Sequence, residues 1–279
     1  PIWWTKEEAA EHGIFILPMP FIIDGKEYLD GIDISYEKFL SLQKAGSDIV
    51  TSQPSPESVM DLWREILKDY DEIVHIPMTS GLSGSCDTAN MLSGEDEFEG
   101  RVFVVDNKRI SVTQISAGLD ALELIKKGYS GALIKEKLEA DSNKSGIYVV
   151  VSDLKYLKKG GRITPLAAAL ASFLKIKPVL QLHEAKIDAY AKARTFKQAK
   201  QIMVDAIKQD LKERMGDPKG SDSRIMIAQY DALENSKEFA SELASEFGNI
   251  EIVNLSLSVA THIGPGTIAI AAARKINAN

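Results

Sequence analysis

The stretch His75-Ile76-Pro77-Met78-Thr79-Ser80-Gly81-Leu82-Ser83-Gly84-Ser85 decides the fold. An apolar run from Glu72 ends in a loop of glycines and hydroxyl residues, and a helical pattern from Ser83 to Leu92 follows at once. Strand, small-polar loop and helix start together make an anion site, because the first N–H groups of a helix have no internal partner and its dipole favours negative charge. Ser80 and Ser83 offer further neutral donors. No lysine follows Gly84, so this is not the phosphate loop of nucleotide hydrolases. The loop suits a small, singly charged anion such as a carboxylate.

Working outward, strands and helices alternate through the first half. A strand pair or bent strand is expected over Ile14–Ile23, a helix over Ser55–Lys68 with Ser55 as N-cap and Pro56 first, and a continuous apolar strand over Val102–Asp106. Helices over Val112–Lys126 and Ser130–Ala140 and a strand over Ile147–Val151 complete a parallel α/β pattern. The second half mixes elements. It has an alanine-rich helix over Pro165–Leu174, neighbouring strands over Pro178–Leu182 and Lys186–Ala193, and a long helix over Thr195–Glu213. A polar surface linker over Met215–Ser223, a strand–helix–strand run from Arg224 to Leu255 and a closing helix over Gly266–Lys275 follow. The expected division is an N-terminal parallel α/β domain, 1–152, and a C-terminal α/β domain with a mixed sheet, 153–279.

Composition bounds the function. The 279 residues are 44% hydrophobic, ample for a large core, and the formal charge of −7 disfavours nucleic acid or an anionic membrane surface as partner. No apolar run is long enough to cross a bilayer, no secretory signal is visible, and the single cysteine, Cys86, fits a reducing cytoplasm. Cys86 reads as a small buried side chain; His75 is the nearest histidine in sequence, which does not make a catalytic pair. The opening Pro1-Ile2-Trp3-Trp4 reads as something other than a natural start. The four histidines are scattered, no metal-ligand spacing occurs, and no Gly-x-Gly-x-x-Gly follows a strand, so neither a metal nor a dinucleotide cofactor is expected.

Four further segments bear chemistry. Thr51 and Ser52 precede the helix that Ser55 can cap unaided; capping and ligand binding both account for them. Arg162, in Gly160-Gly161-Arg162-Ile163-Thr164-Pro165, suits bidentate pairing with a carboxylate or phosphate, although a solvated turn arginine is commoner. Arg194 stands at a strand-to-helix junction, where ligands of open sheets gather, or is a plain surface charge. His262, ahead of Gly264-Pro265-Gly266, can donate to an anion, move a proton or serve the turn alone. A Ser83/His262 hydrolase or acyl transferase is the alternative, weakened by the absence of a Gly-x-Ser-x-Gly elbow.

Taken in order, six segments resemble the DegV family, bacterial fatty acid-binding proteins of the EDD fold. They are Asp24-Gly25-Lys26-Glu27-Tyr28 with Asp30-Gly31-Ile32-Asp33-Ile34, Thr51-Ser52-Gln53-Pro54-Ser55-Pro56, Thr79 to Ser85, Lys159-Gly160-Gly161-Arg162-Ile163, Ile176-Lys177-Pro178-Val179-Leu180, and His262-Ile263-Gly264-Pro265-Gly266. The resemblance implies a two-domain DegV fold with a parallel Rossmann-like N-terminal sheet. It implies one bound long-chain fatty acid at the domain interface, no other cofactor, and a carrier rather than an enzyme. A separate fatty acid kinase would phosphorylate the bound carboxyl group for phospholipid synthesis. Carried over, Thr51, Ser52, Ser83, Gly84, Arg162 and His262 would hold the carboxylate and Arg194 would contact the kinase or phosphate. From its own residues, the alanine-rich Pro165–Leu174 helix is a candidate wall for the tail, although plain core packing is the commoner role for most of its residues. Two departures stand out: no strand ending in Thr-Asp-Ser precedes Ile2-Trp3-Trp4, and Thr79-Ser80 and Ser85-Cys86 replace the commoner Ser-Ser and Thr-Tyr.

Overall fold

The computed structural model describes residues 6–169, 176–183 and 186–276. Its first elements are α1 (Lys6–Glu11), the strands β1 (Pro20–Ile23), β2 (Lys26–Leu29) and β3 (Ile49–Thr51), and α2 (Tyr36–Ala45), which lies between β2 and β3 in the chain. The strands make an antiparallel sheet in the order β2-β1-β3. Asp24 and Gly25, both at positive φ, close the β1–β2 hairpin as Asp-Gly turns do. Only Pro20–Ile23 of the expected Ile14–Ile23 strand pairs; Pro18 and Pro20 remove backbone donors from the approach.

A second layer holds α3 (Pro56–Ile66), β4 (Ile73–His75), α4 (Ser85–Ser93), β5 (Val102–Val104), α5 (Ser111–Lys126) and α6 (Gly131–Ala140). Strands β4 and β5 pair in parallel. Ser55 caps α3 through its Oγ, which accepts from the Ser58 N–H, and Pro56 is its first residue. Val59, Trp63 and Ile66 of α3 pack with Cys86, Ala89 and Leu92 of α4 against this pair.

The third layer is a six-stranded mixed sheet in the order β10-β9-β11-β6-β7-β8. It comprises β6 (Ser145–Val150), β7 (Lys177–His183), β8 (Lys186–Ala193), β9 (Ser223–Tyr230), β10 (Glu251–Asn254) and β11 (Thr267–Arg274). Between them run α7 (Lys155–Gly160), α8 (Pro165–Ala169), α9 (Phe196–Glu213), α10 (Leu233–Phe247) and α11 (Leu257–Ile263). Helix α9 packs on one face; the other face shares a core with Phe21, Ile23, Phe39 and Ile49 of the first sheet and α2.

Gly266–Lys275, expected as a helix, is β11, an inner strand of this sheet. Its alanines are good helix formers, but Thr267 to Ala273 are all buried. A strand covered on both faces reads as a continuous apolar run, so tertiary burial overrides propensity. The Met215–Ser223 segment is not a plain surface linker either. Asp217 is buried and accepts from the Ser221 and Asp222 N–H groups and the Ser223 hydroxyl.

Candidate functional site: a polar mouth on an apolar chamber

Thr51 ends β3 and His262 occupies the last turn of α11, and Thr51 Oγ1 lies 2.7 Å from His262 Nε2. The imidazole fits because residue 160 is glycine: a Cβ there would stand 2.1 Å from His262 Nδ1. Gly264, at φ +78°, ends α11 against the Tyr156 ring. Arg162 follows the left-handed Gly161 cap of α7; its Nη1 donates to Gly160 O at 2.5 Å and its Nε to Leu82 O at 3.4 Å. The guanidinium is thereby tied to the serine loop and keeps further donors. Ser83 Oγ accepts from the Ser85 N–H at 3.2 Å, which leaves its proton available.

These four side chains line one chamber of about 130 Å³. Its floor is the six-stranded sheet: Ile147 and Val149 of β6, Leu182 of β7, Ile187 of β8, Ala228 of β9 and Ala269 of β11. Ala228, Ala269 and Val149 stand abreast on neighbouring strands, so two small side chains hollow the middle of the floor. No carboxylate is among the lining residues described. Burial, with the Arg162 charge adding to it, lowers the His262 pKa to about 4. At neutral pH the imidazole is uncharged, and among the described residues Arg162 alone supplies a charge to the chamber. Hydroxyls, an imidazole and a guanidinium beside an apolar floor can hold an anion that carries a hydrocarbon tail.

The sequence matches the family described as "Uncharacterised protein, DegV family" over residues 3–275. This chain belongs to the DegV family. It is 29% identical over 272 residues to the DegV domain-containing protein SA1258 of Staphylococcus aureus, covering 97% of this chain and 95% of the relative. Among solved structures, a fatty acid-binding DegV family protein from Thermus thermophilus superposes with a TM-score of 0.86 at 28% identity, covering 97% and 95% of the two chains. A stearic acid-binding protein from Eubacterium ventriosum gives 0.86 at 27% identity, covering 97% and 94%.

In this DegV protein Thr51, Ser52, Ser83, Arg162 and His262 share the chamber, although the sequence separates its first and last members by 211 residues. Gly84 stands behind the lining, where a Cβ would meet Gln53 Oε1 at 2.8 Å. Ser80 is committed elsewhere: its hydroxyl donates to Asp106 Oδ2 at 2.6 Å. Arg194 is exposed at the start of α9 and lines neither cavity; its N–H donates to Gln198 Oε1. The described part of the Pro165–Leu174 helix, α8, lines neither cavity, and residues 170–174 lie outside the described residues. Cys86 and His75 make no pair. Burial pushes the thiol up to about 12, and His75 Nδ1 accepts from the Trp63 indole at 3.1 Å. Gln53 and Ser258 also line the chamber. Gln53 belongs to the Thr51–Pro56 segment, whereas Ser258 carries no local signal in the sequence.

A second cleft, of about 680 Å³, adjoins the chamber through Met19, Met78, Ile110, Ser111, Ser258 and Val259. Residues Glu72 to Met78 line it consecutively, so it follows the edge of β4 that faces away from β5. Ile73 and His75 bond to the β5 side, through Arg101 O and the Val105 N–H, so the polar backbone groups of Val74 face the cleft. Ile76 O is met by Gln114 Nε2 at 2.8 Å. A groove edged with backbone donors and acceptors suits a polypeptide strand; the smooth apolar floor of the smaller chamber suits an alkyl chain.

Proposed function

We propose that this protein binds a single long-chain fatty acid and presents it to a separate fatty acid kinase for acyl phosphate formation, in the cytoplasm and without catalysis of its own. The observation that carries the reading is the chamber in which Thr51, Ser83, Arg162 and His262 meet the apolar floor at Val149, Ala228 and Ala269. The hydroxyls, His262 and Arg162 receive the carboxylate, with Ser52 and the Gly84 helix start beside it. The tail lies on the sheet, where each buried methylene contributes about 0.8 kcal/mol. Pockets for ligands of this size run to roughly 300 Å³ or more, so the walls part as the tail enters. The fatty acid and stearic acid binding named for the Thermus and Eubacterium proteins supports the ligand class. Exposed Arg194, outside the chamber, is available to a kinase or to the new phosphate.

Mass spectrometry of organic extracts tests the reading. The purified protein should carry a stoichiometric fatty acid, and the Thr51→Ala/Ser83→Ala variant should lose it. An empty protein that takes up no added fatty acid refutes the proposal. Arg194→Ala should keep the fatty acid and slow its phosphorylation by a fatty acid kinase; if it empties the pocket, the assigned role of Arg194 is wrong.

A further inference from the structure

Helix α11, which carries His262, is seven residues long and its N-cap residue, Ser256, makes no side-chain cap bond. Ser256 Oγ is instead 3.1 Å from Ser258 Oγ. A helix this short does not hold its own position. Its supports come from the other half of the chain. Asp30, in the loop after β2, accepts from the Ser258 N–H through Oδ2 at 3.0 Å, and its carboxylate is also bonded by the Leu257 N–H. Buried Gln43 of α2 donates through Nε2 to Ala260 O at 3.1 Å. Thr51 then meets His262 itself. The Asp30 N–H donates to Met19 O at 3.0 Å, which ties this cap to the chain entering β1.

We propose that Asp30 is a positioning residue of the carboxylate site: it caps α11 from outside and so sets the His262 imidazole against Thr51. The inference rests on the proposed fatty acid site. Burial raises the Asp30 pKa, against the lowering effect of the Ser258 and Leu257 N–H groups. An acid kept in a place that opposes its charge is consistent with a specific task. The task available is to satisfy two orphan N–H groups at the positive end of the helix.

The test compares the full chain with Asp30→Ala and Asp30→Asn by oleate binding and by NMR titration of His262, whose signal is assigned by its loss in His262→Gln. Asp30→Ala should weaken oleate binding by about tenfold or more, as loss of a charge-assisted hydrogen bond does. It should also move the His262 titration from about 4 toward the ordinary 6.5. Asp30→Asn keeps an acceptor oxygen and should restore both readouts. Wild-type oleate affinity in Asp30→Ala overturns the proposal, as does lost affinity with an unmoved His262 titration. If Asp30→Ala does not fold, Asp30→Ser supplies a short acceptor, and the same two readouts decide. A wild-type protein that binds no oleate refutes the fatty acid reading, while the His262 titration still decides whether Asp30 positions the imidazole.

Discussion

Replacing Gly160 by alanine puts a methyl group 2.1 Å from His262 Nδ1, where ordinary contact begins at 3.4 Å. Gly160 is the last residue of α7, and at a helical position the change alone stabilises by up to about 1 kcal/mol. The imidazole must retreat by about 1.3 Å, the shortfall from that contact distance. It cannot do so and keep the 2.7 Å bond to Thr51. Overpacking costs about 1–3 kcal/mol, and the lost half-buried hydrogen bond about 1 kcal/mol more. The steric cost outweighs the propensity gain, so Gly160→Ala should destabilise by roughly 1–3 kcal/mol and shed bound fatty acid. Denaturant unfolding of Gly160→Ala, His262→Ala and the double variant gives the coupling. With the ring removed, the added methyl should be neutral or stabilising. A Gly160→Ala protein as stable as wild type, with its ligand retained, would refute the reasoning.

Three other perturbations have definite outcomes. His262 is disfavoured as a cation when folded, so its contribution is present above pH 6.5 and is lost as pH falls from 6.5 toward 4. His262→Gln should remove at most about 3 kcal/mol of that decline in a stability–pH curve, and an unchanged curve would contradict the burial argument. Asp106→Ala strips the Ser80 hydroxyl of its acceptor; the Thr79–Ser83 loop should exchange its amide hydrogens faster, with about 1.5–3 kcal/mol lost. Ala269 belongs to the buried core and also lines the chamber, so Ala269→Leu takes up chamber space. It should displace the fatty acid in extracts while costing no more than about 1–3 kcal/mol of stability, and retention of the ligand would place the tail elsewhere.

The parts of the site legible in the sequence are those whose chemistry is local. Hydroxyls ahead of helix starts at Thr51, Ser52 and Ser83, a glycine-flanked Arg162 and a His262 beside Gly264 each carried a signal within a few residues. Their meeting in one chamber did not, because Thr51 and His262 belong to sheet and helix packing across the whole chain. Ser80 looked equivalent to Ser83 until Asp106, 26 residues later, claimed its hydroxyl. The alanines of β11 point to helix by propensity; burial on both faces of an inner strand decides otherwise. Asp30 lies in one of the segments that carry the family resemblance and has no role of its own in the sequence, because its bond to Ser258 spans 228 residues.

The same atoms separate holding an anion from attacking an ester. A serine hydrolase needs its histidine on the nucleophile, with the other ring nitrogen oriented by a carboxylate. Here His262 Nε2 is engaged by Thr51, and Nδ1 faces the space that Gly160 leaves open. Ser83 accepts from the backbone of the helix it precedes, and no described Asp or Glu lines the chamber. An imidazole with its pKa depressed to about 4 is also a weak base at neutral pH. What remains is a set of donors lining one chamber, with Arg162 as the single charge among the described residues. Under the proposed reading that arrangement lowers the energy of a bound carboxylate, and the Ser83 hydroxyl beside it has no described general base on it to make it a nucleophile.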